Sequence, residues 1–473
     1  MLAPGFAFAA ARSLSLGDSG TDVTALQNTL IAQGYLAAGK NSGYFGPLTQ
    51  AALEKFQCAH DVICSGDSGA GYGVYGPKTQ AALQVALAPK QPAAINASLT
   101  PAATGSFEVS GWIPYWRIAS GTLDVAPHLT QLKSVMPFGY TVRSDGALAD
   151  TSNITQEPWV SFIAAAKAAH VRVIPTVMWG SGAQEQAILS DTAARIALED
   201  AIANLVKQQG FDGIDIDFEA KQSQTINYFS TFLKGLYQRM GSKWVYCTVE
   251  ARMPLEDRYS QGATIPPDAT EYANDYIAMN KYCDRVELMA YDQGTVDVRL
   301  NTARSAPYAP VADPGWVEDI VDLAAQTISR NKIIVGIPTY GYEYSVTPVP
   351  GDGNKYSVLW PFNPNYATQI AAQLGITPHR TSADELGFIY NDGALAAPTN
   401  GESTQTQQAT ATTTVAQNLG SQVDTTQPYN YVTWSDAQAM KDKIDLAHKL
   451  GVRGIAFFSL GGGEDQGLWG ILK

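Results

Sequence analysis

Between residues 108 and 460 the sequence alternates, eight times over, a short apolar run with a longer stretch, usually amphipathic, and few folds accept that rhythm. The apolar runs fall at 108–114, 133–140, 171–179, 211–219, 244–250, 285–292, 332–340 and 453–460. Helical stretches lie between most of them, at 158–169, at 191–209 closed by Gly210, at 224–240 closed by Gly241 and at 435–450 closed by Gly451. Eight strand–helix alternations predict an α/β fold, a closed parallel (β/α)8 barrel of the TIM type with its chemistry at the carboxyl ends of the strands. The segment 343–430 is too long for one crossover. It predicts a small α+β insertion after the seventh strand, with a polar Thr/Gln-rich portion at 399–427, acting as a wall or lid of the site.

Ahead of the barrel lies a second unit. Gly46-Pro47-x-Thr49-Gln50-Ala51-Ala52-Leu53 is echoed thirty residues later by Gly76-Pro77-x-Thr79-Gln80-Ala81-Ala82-Leu83. In each copy proline opens a helix and alanine and leucine follow at helical spacing. With 22–33, which bears Val23, Leu26 and Leu30, this gives three short helices, an all-α module over 13–88. Residues 89–106, rich in Pro, Ala, Ser and Thr, read as an extended linker, and 107–473 as the barrel domain. Residues 1–12 contain Ala7-Phe8-Ala9, a small-residue cleavage pattern, and read as the remainder of an export signal.

The net charge of −13, with Lys and Arg scattered singly, excludes the cationic stripe a nucleic-acid partner needs. No stretch reaches the ~20 apolar residues of a membrane helix. The five histidines have no metal-ligand spacing, so neither a metal nor another cofactor is expected. Cys58 and Cys64 are close neighbours; Cys247 lies in the fifth strand and Cys283 just before the sixth. Two disulfides and an exported protein follow, with buried thiols, or a metal held by Cys58, His60 and Cys64, as alternatives.

The sharpest chemical signal is Phe211-Asp212-Gly213-Ile214-Asp215-Ile216-Asp217-Phe218-Glu219. Side chains alternate along a strand, so Asp215, Asp217 and Glu219 share the inner face and Ile214, Ile216 and Phe218 the outer one. Asp212 has the wrong parity and reads as structural. Neighbouring acids about 7 Å apart repel by roughly 2 kcal/mol at an effective dielectric of about 20. Such a row persists when protons are shared, and a shared proton keeps a general acid protonated near neutrality; a metal or an arginine neutralising the row is the rival explanation.

This pattern resembles glycoside hydrolase family 18, the chitinase-type family, over residues 108–473. Met289-Ala290-Tyr291-Asp292 and Gly336-Ile337-Pro338-Thr339-Tyr340-Gly341 match it further. The resemblance implies that Glu219 protonates the glycosidic oxygen while the substrate's own N-acetyl carbonyl attacks the anomeric carbon. It implies that Asp217 orients the acetamido group, that Asp215 shares a proton with Asp217, and that Tyr291 bonds the acetamido oxygen. Asp292 and Met289 would line the sugar site. Strand seven ends in Pro338-Thr339-Tyr340 without a carboxylate, which favours substrate assistance; Glu250, Glu287 and Glu343 are the weaker rivals for a nucleophile. Flat aromatics suit sugar faces, and Trp112, Tyr115, Trp116, Tyr140, Trp179 and Tyr340 are candidates.

Two departures bear on the substrate. Phe458 stands where the family usually has a tryptophan floor, and the third strand ends Met178-Trp179-Gly180-Ser181-Gly182 instead of Ser-x-Gly-Gly. The run Gly17-Asp18-Ser19-Gly20, Val23, Leu26-Gln27, Gly43-Tyr44-Phe45-Gly46-Pro47 resembles the peptidoglycan-binding module of bacterial wall hydrolases. Together these predict a secreted, wall-associated, monomeric enzyme acting on peptidoglycan or another GlcNAc-containing polysaccharide. A chitinase and a non-hydrolytic wall-binding protein are the alternatives. Gly461-Gly462-Gly463 would suit a phosphate, but Glu464 and Asp465 beside it argue against an anion.

Overall fold

A computed structural model of the chain describes residues 12–37, 39–60, 62–64, 71–87, 99–350, 353–391 and 423–472. The signal segment up to residue 11, linker residues 89–98 and most of the Thr/Gln-rich run lie outside them. The chain forms two compact units, Met1–Ala97 and Ser98–Lys473.

The first unit holds three helices, Thr21–Ala32, Pro47–Ala59 and Pro77–Leu87. Their apolar faces meet in a core that includes Val23, Leu26, Leu30, Phe45, Leu53, Phe56 and Leu83. The thirty-residue echo has a structural cause. Buried Gln27 donates from its amide to Tyr44 O and Thr49 Oγ1 and accepts from Gly43 N–H. Gln57, thirty residues on, does the same for the second copy, donating to Val74 O and Thr79 Oγ1 and accepting from Gly73 N–H. Each glutamine therefore ties down the turn that precedes the next helix, satisfying backbone groups that burial would otherwise orphan. Cys58 and Cys64 are joined as a disulfide, which leaves no thiolate for a metal.

In the second unit eight parallel strands close into a barrel: Glu108–Pro114, Ser134–Val142, Arg172–Val173 continuing at Thr176–Trp179, Gly213–Phe218, Trp244–Glu250, Arg285–Met289, Ile333–Pro338 and Gly454–Phe458. They lie in chain order, and the first pairs with both the second and the eighth. Helices cover the outside, including Thr192–Gln209, which ends at left-handed Gly210, and Ile226–Met240. Outward residues such as Ile214, Ile216 and Phe218 join them in one apolar layer. A short strand the sequence reading missed, Leu148–Asp150, folds back antiparallel on the second barrel strand. Residues 99–106 of the expected linker run along the barrel, where Thr100 N–H donates to Ala325 O and Ala103 N–H to Gly451 O.

The amino end of the barrel is plugged by charge. Glu108 binds Arg285 through both oxygens, at 2.6 and 3.0 Å, and Arg172 at 3.2 Å. Both guanidinium groups lie over the Trp244 ring, at 4.3 and 4.9 Å from its centre. After the seventh strand comes the α+β insertion, a five-stranded antiparallel sheet with the helix Pro364–Leu374 against it. Its last strand, Tyr429–Trp434, runs past the expected end at residue 430.

Candidate active site

Asp215 sits at mid-height in the barrel, fully buried. Its carboxylate accepts from Trp112 Nε1 (3.1 Å), Thr176 Oγ1 (2.8 Å) and Thr248 Oγ1 (2.9 Å), three donors from three different strands. Burial pushes its pKa up and these hydrogen bonds oppose the rise. Asp217, one step nearer the carboxyl end, is also buried, and its Oδ1 has no hydrogen-bond partner. Burial, then the charges of Glu219 and Asp215, hold its pKa well above the usual carboxylate range. Asp215 is thus satisfied by three donors, whereas Asp217 keeps one oxygen without any.

Glu219 follows directly on the end of the strand, half-buried, its N–H donating to Trp179 O. Burial and then the neighbouring Glu250 raise its pKa, so it holds its proton to higher pH than a solvated glutamate. Tyr291 is buried beside the acids, with its pKa well raised by burial and by Asp217, so its hydroxyl remains a donor. The ring lies so close over the seventh strand that a Cβ on Gly336 would stand 2.7 Å from it. Asp292, with φ of 61°, is turned to the mouth and accepts from the hydroxyls of Tyr340 and Tyr342. Phe458 stacks on Tyr291 with ring centres 5.5 Å apart. Trp116, exposed, packs edge-on against Phe138, which in turn meets Phe458. A cleft of about 770 Å3 opens over this end, lined by Glu219, Glu250, Met289, Tyr291, Asp292 and residues of the loop after the fifth strand.

Three of the proposed sugar-binding aromatics are elsewhere. Trp112 is 1% exposed inside the barrel and serves as a donor to Asp215. Trp179 has the opposite parity to Met178 and packs edge-on against Phe218 in the outer apolar layer. Tyr140 turns into that same layer where the register of the second strand shifts after Phe138. Of the rival acids, Glu343 is buried in the insertion, accepting from Tyr366 and Tyr390. Glu287 is fully buried under the site and shares Thr248 Oγ1 with Asp215, and burial and then the charge of Asp215 push its pKa well above the usual carboxylate range. Its partner, missing from the sequence reading, is that threonine.

Sequence reasoning also missed Tyr342, Lys221 and Glu185. Tyr342 is one step past the Tyr340 motif on the same polar run, the one signal available. Asp212 accepts from Val173 N–H at the strand start, a structural role. The glycines after strand eight do cradle an anion, but it is the chain's own Glu464, which accepts from the N–H groups of Gly461, Gly462 and Gly463. Cys247 and Cys283 are disulfide-bonded. Among the described residues, one acidic cluster has metal-ligand spacing, Asp257, Asp297 and Asp319, and Arg299 sits among these carboxylates as their cation. No helix among them is long and apolar enough to cross a membrane.

Comparison with known proteins fits this geometry. Residues 122–463 match the family described as Glycosyl hydrolases family 18, and residues 19–83 the one described as "Putative peptidoglycan binding domain". Among curated relatives, the "Uncharacterized glycosylase YvbX" of Bacillus subtilis (strain 168) is 26% identical over 34% of this chain and 42% of its own length. The "Cortical fragment-lytic enzyme" of the same organism is 24% identical over 58% of this chain and 52% of its own. The chain thus spans about half, or less, of the curated relatives it matches. Among solved structures, the spore cortex-lytic enzyme SleL of Bacillus megaterium QM B1551 matches with a TM-score of 0.55 and 21% identity, over 77% of this chain and 73% of that one. A chitinase from Chromobacterium violaceum ATCC 12472 matches with a TM-score of 0.56 and 19% identity, over 78% and 98%.

Proposed function

The chain belongs to glycosyl hydrolases family 18, and on that premise we propose that it hydrolyses the β-1,4 bond after N-acetylglucosamine in peptidoglycan, by substrate-assisted catalysis that retains configuration. The observation that carries this reading is the graded row on the fourth strand: Asp215 satisfied by three donors, Asp217 buried with an oxygen unpaired and its pKa raised, Glu219 at the cleft. Glu219 gives its proton to the glycosidic oxygen as the bond breaks, while the acetamido oxygen of the same sugar bonds to the anomeric carbon. Asp217, beside Glu219, orients the acetamido N–H, and the Tyr291 hydroxyl donates to the acetamido oxygen. Glu219, now a carboxylate, then takes a proton from the water that opens the oxazolinium ring. Asp292, fixed by two tyrosine hydroxyls, bonds sugar hydroxyls at the rim, with Phe458 and exposed Trp116 offering flat apolar surface. The three-helix unit, matched by a wall-binding family, supports peptidoglycan over chitin and a protein that works outside the cell.

Glu219→Gln keeps the shape of the acid and removes its proton, so turnover should fall about 10²-fold or more. Wild type and variant are incubated with insoluble peptidoglycan and with chitin, and the sugar at each new reducing end is identified. GlcNAc ends from peptidoglycan with wild type alone support the reading. Ends from chitin alone would make the protein a chitinase, and undiminished activity in the variant would remove Glu219 as the acid.

A further inference from the structure

Behind Glu219 lies a group of charges that the hydrolytic mechanism does not use. Ala220, the next residue, holds a φ of 57°, a conformation uncommon for residues other than glycine. Two contacts fix it there. Its N–H donates to Glu250 Oε1 at 3.1 Å. Its carbonyl oxygen meets Gly182, at the start of helix Gly182–Ser190, so closely that a Cβ there would stand 2.2 Å away. The other oxygen of Glu250 accepts from Asn274 Nδ2 at 2.8 Å and lies 3.9 Å from Lys221 Nζ.

Lys221 is the stranger residue. Its side chain is 1% exposed, its ammonium lies 4.7 Å from the centre of the Phe229 ring, and it makes no hydrogen bond. Glu185, on the helix beside it, is fully buried, and neither of its oxygens has a hydrogen-bond partner. An ammonium kept in such a place without hydrogen bonds costs stability, and its charge acts strongly on its neighbours because little water screens it.

We propose that Lys221 and Glu250 are an opposed positioning pair for Glu219, a buried positive charge and a negative charge on the cleft wall beside the acid, which together set the pH range in which it works. Glu219 is faced by Glu250, Lys221 and Asp292, and its own charge acts on Asp217. Lys221 is faced by Glu250, Glu185, Asp217 and Glu219. Glu250 pushes the proton affinity of Glu219 up and Lys221 pulls it down. Burial pushes the pKa of Glu185 up to about 7, and the charge of Lys221 opposes that rise. The pair acts on the reaction through Glu219 and touches no reacting atom.

The inference rests on Glu219 being the acid, and its test separates the two. Lys221→Met removes the charge at similar length. Glu250→Gln removes the charge and keeps an oxygen for Ala220 N–H. For the full chain, the basic limb of the kcat/KM profile on peptidoglycan should move about one pH unit alkaline in Lys221→Met and about as far acid in Glu250→Gln. The Glu219 carboxyl is titrated in parallel by 13C resonance, assigned by its loss in Glu219→Gln, and should shift in the same two directions. Lys221→Gln, with thermal midpoints, stands in if Lys221→Met does not fold. Should wild type cut neither peptidoglycan nor chitin, the glycosidase reading fails and the carboxyl titration still decides the inference. Shifts in one common direction, or none beyond about 0.2 unit, would overturn it.

Discussion

Replacing Glu108 by Gln isolates the charge at the amino end of the barrel. Glu108 is 6% exposed and its carboxylate is shared by the guanidinium groups of Arg285 and Arg172. The variant leaves one buried and one largely buried cation around Trp244 with no anion between them, a change that costs roughly 3 to 5 kcal/mol. For the unit Ser98–Lys473, the unfolding entropy comes to about 0.8 kcal/mol/K, so the thermal midpoint should fall by about 4 to 6 °C. The pH dependence carries a second signature. Burial would raise the Glu108 pKa, but hydrogen bonds and charge from Arg285, and then Arg172, take it below its ordinary value of 4.5. The carboxylate's contribution is therefore complete above about 4.5 and is lost as pH falls through the lower, folded-state value. Midpoints of both proteins are followed by circular dichroism from pH 7 downward. A gap under 1 °C at pH 7, or one that stays constant into acid, would refute the argument.

The Cys247–Cys283 bridge closes a separation of 36 residues. Replacing both cysteines by Ala should cost about 4 kcal/mol by loop entropy, read as a lower urea midpoint of the barrel unit; an unchanged midpoint would mean the bridge constrains nothing. In the three-helix unit, Gln27→Leu leaves Gly43 N–H, Tyr44 O and Thr49 Oγ1 without their amide partner. A loss of about 2 to 4 kcal/mol follows, seen as faster amide exchange at residues 43–49 on the full chain.

Periodicity made the barrel legible, because strands buried on both faces read as apolar runs and the helices between them end at glycines. The acid row was legible for the same reason, since parity alone assigns Asp215, Asp217 and Glu219 to one face. What parity does not reveal is depth. Trp112 and Asp215 both point inward, yet the tryptophan lies inside the barrel as the aspartate's hydrogen-bond donor, and only the three-dimensional stagger of the strands shows it. Tyr140 was misread because a register shift after Phe138 reverses its side, and one residue of slip is enough to do that. Lys221 and Glu250 follow and end neighbouring strands, Gly213–Phe218 and Trp244–Glu250, and meet because those strands pair in parallel, so no local pattern announces them.

The two ends of the barrel solve the same electrostatic problem in opposite ways. At the amino end one carboxylate is neutralised by two guanidinium groups, and its pKa falls. Further up, Asp215, Glu287, Asp217 and Glu219 have no arginine partner among their hydrogen bonds and ion pairs, and burial drives all four pKa values up. Hydroxyl and indole donors on Asp215 satisfy its oxygens without supplying a full positive charge, so the proton is kept in the row instead of being displaced from it. An arginine placed there would lower the carboxyl pKa values, as Arg285 and Arg172 do for Glu108. Under the proposed mechanism the raised carboxyls near the cleft serve proton donation, and the plug at the far end offers stability where no proton is needed.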